Sequence, residues 1–214
     1  MKIGVLGTGL VGTTIAGKLV ALGHEVTMGA RMATNQKAAA WAKTAGPGAS
    51  AGTFADAAAF GEIVFNCTNG AGTMSALDAA GDANLRGKIL IDVANPLDFS
   101  KGMPPTLLIA NTDSLGEQVQ RTHPDARVVK ALNTMNCNVM VNPALIAGQH
   151  DVFICGSDPG AKAEVTSLLA SFGWKNVVDV GDISAARGLE MLVILWARLF
   201  GALASPTFNF HVAR

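Results

Sequence analysis

Short apolar runs alternate along the chain with longer, alanine-rich segments. The apolar runs are often β-branched and end at Gly, Asn or Thr, a pattern typical of buried strands. They predict strands over 2–7, 25–28, 62–67, 88–93, 127–131, 151–155 and 176–180. The segments between them predict helices over 10–22, 35–45, 114–123 and 160–172. Because strands that alternate with helices build parallel sheets through right-handed crossovers, the predicted fold class is α/β.

The last apolar segment predicts one long helix over 184–204, with apolar residues on nearly every side. Arg198 interrupts this segment and Glu190 precedes its most apolar part, so it falls short of the roughly 20 apolar residues that a membrane span needs. We therefore expect a buried helix and no membrane partner. Since little chain remains after it, we expect a second copy in a homodimer or a bound cofactor to cover part of this helix, with packing on the chain's own sheet as the alternative.

Composition and charge narrow the class of protein. Hydrophobic residues make up 50% of the 214 residues and the formal net charge is +0, so the chain can bury a core and is not suited to nucleic acid. Its length fits one compact unit, with a nucleotide-binding part over 1–150 and an extension over 151–214 that continues it. The wide spacing of Cys67, Cys137 and Cys155 argues against a disulfide framework or a zinc site and favours a reducing cytoplasm.

A glycine-rich motif lies between the first predicted strand and the first predicted helix, and it reads Gly7-Thr8-Gly9-Leu10-Val11-Gly12. In this position Gly7 permits a tight turn, Gly9 lets the backbone approach a pyrophosphate, and Gly12 lets the helix pack closely on the strand. Backbone amides at the positive end of the helix dipole would hold the phosphates. We favour dinucleotide binding over a turn with incidental glycines. The predicted architecture is then a Rossmann-type doubly wound, mainly parallel sheet with a C-terminal helical extension.

The end of the second predicted strand indicates which dinucleotide is bound. Folds that bind NAD carry an Asp or Glu about 20 residues past the glycines, whereas an Arg accommodates the 2′-phosphate of NADP. Here the strand ends at Ala30 and Arg31 with no carboxylate at its tip, and Lys37 would add a second positive charge. A solvated surface position is the alternative for both cations. The sequence therefore predicts NADP as the cofactor.

Further polar residues follow other predicted strands, where open α/β sheets bind their ligands. Thr68, Asn69 and Asn95 would supply hydroxyl and amide groups to the cofactor groove, although Asn95 is alternatively part of a turn that ends its strand. Asn133 and Met135 would form a wall beside the nicotinamide, with the alternative that they are an Asn-rich turn and a core methionine. No catalytic residue and no metal ligand is predicted.

An ordered set of motifs extends to the C-terminal part of the chain. The set consists of Lys2-Ile3-Gly4-Val5-Leu6-Gly7-Thr8-Gly9, Gly23-His24-Glu25-Val26, Gly29-Ala30-Arg31, Val128-Val129-Lys130-Ala131-Leu132-Asn133-Thr134, Cys155-Gly156-Ser157-Asp158, Asp179-Val180-Gly181, Ala186-Arg187 and Leu189-Glu190. With these motifs the chain resembles the family of coenzyme F420-dependent NADP oxidoreductases and their bacterial relatives. The glycine loop alone is shared by all such folds, so the order of the whole set makes the resemblance specific.

The resemblance implies how the protein works. In that family hydride passes directly between a nicotinamide ring and a deazaflavin ring held face to face, so the protein supplies position rather than an acid or a base. The NADP contacts of the family fall on Thr8, Gly9, Leu10, Val11, Arg31 and Lys37. Ala30 departs from the family's common Ser, which would weaken the preference for NADP without abolishing it. The loop over 68–72 also departs from the family's usual turn and leaves the second substrate open.

The sequence leaves more than one function open. The leading hypothesis is an NADP(H)-dependent oxidoreductase that transfers hydride between NADP(H) and a flat redox co-substrate: deazaflavin F420, a flavin or a quinone-like molecule. The alternatives are a non-catalytic module that senses NADP(H), and a reductase of another small acceptor. A dehydrogenase of a small alcohol or acid is disfavoured, because the four histidines lie in turns or in the tail rather than beside a strand end.

Overall fold

The computed structural model describes residues 1–214, and most of its strands join one eight-stranded sheet. In chain order the strands are β1 (Lys2–Leu6), β2 (Glu25–Ala30), β3 (Ala49–Thr53), β4 (Ile63–Asn66), β5 (Ile89–Asp92), β6 (Leu97–Asp98), β7 (Thr106–Leu107), β8 (Arg127–Ala131), β9 (Val152–Cys155) and β10 (Val177–Asp179). The helices are α1 (Leu10–Ala21), α2 (Gln36–Ala45), α3 (Phe54–Phe60), α4 (Thr73–Ala80), α5 (Asp82–Leu85), α6 (Leu115–Thr122), α7 (Cys137–Val141), α8 (Pro159–Phe172) and α9 (Ala186–Leu203).

The order of strands in the main sheet is β3-β2-β1-β4-β5-β8-β9-β10. Neighbouring strands run parallel except for β8 and β9, which are antiparallel with Lys130 opposite Cys155. The remaining strands, β6 and β7, form a separate antiparallel hairpin. The strand order reverses between β1 and β4, so the sheet is doubly wound about that point. The predicted Rossmann-type α/β fold is confirmed.

Every predicted strand and helix is present, with bounds that differ by at most two residues at either end. The long C-terminal helix, for example, begins at Ala186 after a 3-10 turn over Ile183–Ala185. The prediction missed β3, the two-residue hairpin strands β6 and β7, and the helices α3, α4, α5 and α7. β3 consists of small residues at the edge of the sheet and has no apolar run, and the missed helices are too short to show a helical period. A reciprocal cap between Thr53 and Asp56 marks the start of α3 and was a usable signal.

The core lies on both faces of the sheet. Buried apolar residues on one face form a cluster of 30, which includes Ile15 of α1 and Val165 of α8. On the other face a cluster of 13 includes Ala57 of α3 and Val119 of α6. Because successive side chains of a strand point to opposite faces, strands between two such layers are apolar on both sides. This burial explains the continuous apolar runs seen in the sequence.

Helix α9 packs on β9 on one side and is covered by the following tail on another. Leu189 joins a small cluster with Phe153 of β9. After the helix the chain folds back, and Trp196 stacks on Phe208 with ring centroids 5.3 Å apart. The expectation that little chain remains to cover this helix is therefore wrong for the side of Trp196. Leu195 is nevertheless 50% exposed. No helix in the structure combines the length and the apolarity that crossing a membrane requires.

Candidate functional site

A crevice opens at the carboxyl ends of β4 and β5, beside the first turn of α1 and next to the point where the strand order reverses. Open α/β sheets bind their ligands at this point. The cavity has a volume of about 220 Å³, and its lining includes Val11, Thr68, Asn69, Asn95, Leu97 and Phe99. Four residues that the sequence predicts to bind a cofactor, Val11, Thr68, Asn69 and Asn95, therefore lie around one cavity.

The three glycines of the loop after β1 differ in the space that a side chain would find. Gly7 has a φ of 118°, and a Cβ atom there would lie 2.6 Å from the carbonyl oxygen of Cys67. A Cβ atom on Gly12 would lie 2.2 Å from the carbonyl oxygen of Gly7, so α1 packs on this turn only without a side chain. At Gly9, in contrast, a Cβ atom would meet nothing within 4 Å. The chain's own packing therefore requires Gly7 and Gly12 but leaves the space in front of Gly9 open to a ligand.

The first turn of α1 presents backbone N–H groups that no side chain caps. Gly9 is the N-cap residue of α1 and offers no side-chain hydrogen bond, and the first turn contains no acidic residue. Leu10 in this turn is 72% exposed, and Val11 lines the crevice. Free N–H groups at the positive end of a helix dipole bind phosphate oxygens. The residues present therefore fit the pyrophosphate of a dinucleotide.

Arg31 directly follows β2, at the same edge of the sheet as the glycine loop. Its side chain and that of Lys37 in α2 are exposed, and neither takes part in an ion pair. No carboxylate occurs between β2 and α2. Ala30 is buried with its methyl group in the core cluster beside α1, so only its backbone is available to a ligand. The edge of the sheet next to β2 thus offers two free cations to an anionic group.

Hydrogen bonds fix the polar side chains that follow β4 and β5. Thr68 Oγ1 donates to Asn66 Oδ1 at 2.6 Å, and Asn69 Oδ1 accepts a backbone N–H of the next turn at 3.0 Å. Asn95 Nδ2 donates to the carbonyl oxygen of Asn133 at 2.8 Å, and Asn133 Nδ2 donates to Asn95 Oδ1 at 2.9 Å. The first two bonds hold the loop after β4, and the last two join the loops after β5 and β8 beside the crevice.

Met135 lies within the core rather than at the surface of the crevice, and the residue is only 5% exposed. It offers no apolar face to a ring bound there, so the predicted nicotinamide wall is not supported at this position. Its burial supports the alternative interpretation, a core methionine. Asn133 is also buried, and its Oδ1 has no hydrogen-bond partner.

A buried ion cluster that the sequence analysis did not predict lies next to the crevice. Lys130 Nζ is 2.7 Å from Asp92 Oδ2 and 2.7 Å from Glu190 Oε1, and it donates to the carbonyl oxygen of Ala94 in the cavity lining. Burial by itself disfavours the charged ammonium, but the two carboxylates outweigh it and hold the pKa of Lys130 above its ordinary value. The signal in the sequence was a Lys inside an apolar strand, which is buried only with a partner.

This cluster connects the crevice to α9. Asp92 Oδ1 accepts a hydrogen bond from Asn66 Nδ2 at 2.7 Å, and Asn66 in turn accepts one from Thr68. On the other side, Glu190 accepts two N–H groups at the N-terminus of α6, at 2.9 and 3.0 Å. One network thereby joins β4, β5, β8, α6 and α9. Thr68 at the crevice is thus connected to Glu190 of the last helix through Asn66, Asp92 and Lys130.

The strand order, the crevice and the uncapped glycine loop define a Rossmann-type protein of the dinucleotide-binding class. Residues 2–96 match the family described as NADP oxidoreductase, coenzyme F420-dependent. A crystal structure from Arthrobacter sp. FB24, provisionally named an F420-dependent NADP reductase, is 56% identical with a TM-score of 0.96, and 100% of each chain is covered. The chain belongs to this family of NADP-dependent oxidoreductases, as the resemblance implied.

Two curated relatives are longer than the region they share with this chain. The chain is 30% identical to the metalloreductase STEAP3 of Rattus norvegicus over 212 residues, which are 96% of this chain and 38% of that protein. It is 29% identical to the F420-dependent NADP reductase of Methanocaldococcus jannaschii over 141 residues, 65% of this chain and 62% of that protein. The chain thus spans less than two thirds of the length of either relative.

Proposed function

We propose that this chain is an NADP(H)-dependent oxidoreductase that transfers hydride between NADP(H) and a flat redox co-substrate, deazaflavin F420 or a flavin. The observation that carries the proposal is the open space in front of Gly9, at the uncapped first turn of α1. No packing demand of the chain explains a glycine there, whereas the close approach of a pyrophosphate does. The names of the Arthrobacter and Methanocaldococcus relatives support the same cofactor and acceptor.

The cofactor would lie across the point where the strand order reverses. Backbone N–H groups of Leu10, Val11 and Gly12 hold the pyrophosphate at the N-terminus of α1. Arg31 and Lys37 take the 2′-phosphate at the end of β2, where both side chains are exposed and free of competing carboxylates. Neither cation has to leave an ion pair in order to bind the phosphate.

The chemistry of the crevice fits direct transfer. When bound, NADPH would supply a hydride, and the acceptor would be reduced by two electrons with a proton from solvent while the cofactor becomes NADP+. No histidine lines the crevice, and burial raises the pKa of the Cys67 thiol there far above its ordinary value, so the thiol stays protonated. Thr68 and Asn95 would bind the polar edge of the nicotinamide, and Val11 would bound its apolar face. The chain's own contribution is to position the rings and exclude water.

The proposed function also concerns which molecule accepts the hydride. Two relatives are named as F420-dependent, and the rat relative is named as a metalloreductase, so a flavin or another small acceptor stays beside F420 as an alternative. Apolar side chains of the crevice lining, among them Val11, Leu97 and Phe99, suit a flat aromatic partner better than a small polar acid. A module that binds NADP(H) without turnover is the non-catalytic alternative.

We also propose that two copies associate through α9. Met191, Leu195 and Leu203 of this helix remain exposed although the tail covers Trp196. A second copy seated on this face would bury them, since exposed apolar patches mark association surfaces. Light scattering that gives twice the chain mass of 22.0 kDa supports the dimer, and a mass of 22.0 kDa refutes it. The three free cysteines fit a reducing compartment, and we propose the cytoplasm.

Oxidation of NADPH, followed by its absorbance, tests the enzymatic proposal. The reaction is run with F420, with a flavin and without an acceptor, and binding of NADPH is measured separately by calorimetry. We expect NADPH to be consumed with a flat acceptor and to persist without one. Tight binding of NADPH with no turnover on any acceptor would support the sensing module instead. Absence of NADPH binding would overturn the cofactor assignment itself.

A further inference from the structure

An aromatic side chain forms part of the crevice wall and is not among the residues predicted to bind the cofactor. Phe99 directly follows β6, is 52% exposed and lines the cavity together with Val11 and Leu97. The lining of the same cavity also includes the polar residues Thr68 and Asn95. A cavity of this mixed character fits a flat ring that has an apolar face and a polar substituent at its edge.

The hairpin of β6 and β7 fixes the backbone of Phe99. The two strands pair antiparallel, immediately before and after the loop that carries this residue. Asp98 Oδ1 accepts the N–H of Ser100 at 2.8 Å, and the carbonyl oxygen of Phe99 accepts the N–H of Gly102 at 2.9 Å. The backbone is therefore held on both sides of Phe99 while its ring remains free to contact a ligand.

The position of Phe99 along the sheet assigns it to one end of the dinucleotide. A doubly wound sheet binds one mononucleotide on each half, with the pyrophosphate at the point of reversal. Arg31 marks the half formed by β1, β2 and β3, and the cavity beside Phe99 is formed by the ends of β4 and β5. A dinucleotide with its pyrophosphate on α1 and its 2′-phosphate at Arg31 would bring its nicotinamide, not its adenine, against Phe99.

We propose that the ring of Phe99 stacks on the same face of the nicotinamide ring as Val11, leaves the opposite face to the acceptor, and favours the oxidised cofactor. This inference rests on the proposed function. The nicotinamide ring carries a positive charge in NADP+ and is neutral in NADPH, and the face of a phenyl ring attracts a cation. At an exposed site this attraction corresponds to an affinity gain of about two- to fivefold. Phe99 thus adds contact area for both forms and binds NADP+ more tightly than an aliphatic side chain would.

Calorimetry with three ligands tests this role without any turnover. The ligands are NADP+, NADPH and 2′-phospho-ADP-ribose, which lacks the nicotinamide. Phe99→Leu keeps apolar bulk and removes the aromatic face, and Phe99→Trp keeps an aromatic face. Leu108→Ala is the matched control, because Leu108 is equally exposed after β7 but does not line the cavity.

We expect Phe99→Leu to lose about two- to fivefold more affinity for NADP+ than for NADPH and to bind 2′-phospho-ADP-ribose as the wild type does. Phe99→Trp should keep the wild-type ratio of the two affinities or favour NADP+ further, and Leu108→Ala should change none of the three. An unchanged ratio in Phe99→Leu overturns the inference. Weaker binding of 2′-phospho-ADP-ribose, or the same change in Leu108→Ala, also overturns it, because a disturbed hairpin would then be the cause.

The wild-type protein separates failure of this inference from failure of the proposed function. If the wild type binds all three ligands and Phe99→Leu binds each of them as tightly as the wild type does, only the proposed role of Phe99 is refuted. If the wild type binds neither NADP+ nor NADPH, the proposed function falls, and the role of Phe99 falls with it.

Discussion

Lys130 of β8 and Glu190 of α9 form an ion pair with 2.7 Å between Nζ and Oε1, and both side chains are closed to solvent. Asp92 of β5 is equally buried and lies 2.7 Å from the same ammonium, so two carboxylates share one cation. Buried charges are tolerated only when each is paired and hydrogen-bonded. Backbone N–H groups of α6 donate further hydrogen bonds to Glu190, and the side chain of Asn66 donates one to Asp92. The pair therefore ties the last helix to the strands that end at the crevice.

Removal of the shared cation should destabilise the protein strongly. Lys130→Met leaves two carboxylates buried without a counter-charge, and we expect it to lower the free energy of unfolding by about 3–5 kcal/mol. Arg86→Met is the control, because the Arg86–Asp125 pair is exposed and should contribute less than about 1 kcal/mol. Urea titrations of both variants check this. A loss in Lys130→Met no larger than that in Arg86→Met would contradict the structural role of the cluster.

The contact between α6 and α9 should make the free energy of unfolding decrease as the pH becomes acidic. Arg187 Nε donates to Glu117 Oε2 at 2.8 Å, and this guanidinium holds the pKa of Glu117 below its ordinary value of 4.5. Because the pKa is lower in the folded than in the unfolded chain, the pair stabilises the fold above pH 4.5, and this contribution is lost as the pH falls through the folded-state pKa. Between about pH 3 and pH 7, denaturant titrations should show a smaller decline in Arg187→Met than in the wild type. Parallel declines would disprove the coupling.

Alanine substitutions of two glycines in the same loop should have different effects, one on NADPH affinity and the other on the free energy of unfolding. Gly9→Ala meets no atom within 4 Å, so its unfolding free energy should stay within about 0.5 kcal/mol of the wild type while NADPH affinity falls roughly tenfold or more. Gly12→Ala forces a Cβ atom to 2.2 Å from the carbonyl oxygen of Gly7 and should lose about 1–3 kcal/mol of stability. Thermal unfolding and calorimetry on both variants measure the two effects. Unaltered NADPH binding by Gly9→Ala would count against a pyrophosphate in front of this residue.

Arg31 should discriminate between the two nicotinamide dinucleotides. Arg31→Ala removes the partner of a 2′-phosphate, so we expect NADPH affinity to fall about tenfold to a hundredfold and NADH affinity to stay nearly unchanged. Lys43→Ala, an exposed lysine at the other end of α2, serves as the control and should affect neither ligand. Calorimetry supplies the affinities. A parallel loss for NADPH and NADH would mean that Arg31 supports the fold rather than the phosphate.

Much of the fold could be predicted from the sequence because most strands are buried on both faces. The continuous apolar runs of β1 and β5 follow directly from that burial. Strand β3 could not be found in this way, since the pairing of Ala49–Thr53 with β2 depends on backbone hydrogen bonds rather than on apolar side chains. The cover that Phe208 gives to Trp196 could not be predicted either, because the sequence alone does not show where a tail folds back.

The site residues that could be predicted are those whose role follows from the local sequence, and the others depend on contacts between distant parts of the chain. The glycine loop and Arg31 could be assigned because the turn, the close approach and the charge are local properties. The pairing of Lys130 with Glu190 joins residues far apart in the chain, and only the fold brings them together. The burial of Met135 was left open by the sequence for the same reason, since it follows from packing against other elements of the core.

Transfer of deuterium from labelled NADPH tests the central claim most directly. NADPH that carries deuterium at both positions of C4 of the nicotinamide is incubated with the protein and F420, and the reduced deazaflavin is analysed by mass spectrometry. Because the accepting position of a deazaflavin is a carbon atom, a transferred deuterium is retained there. The account predicts that the reduced F420 contains one deuterium from the cofactor. Reduced F420 without deuterium, or F420 that remains oxidised while NADPH is bound, would contradict direct hydride transfer by this protein.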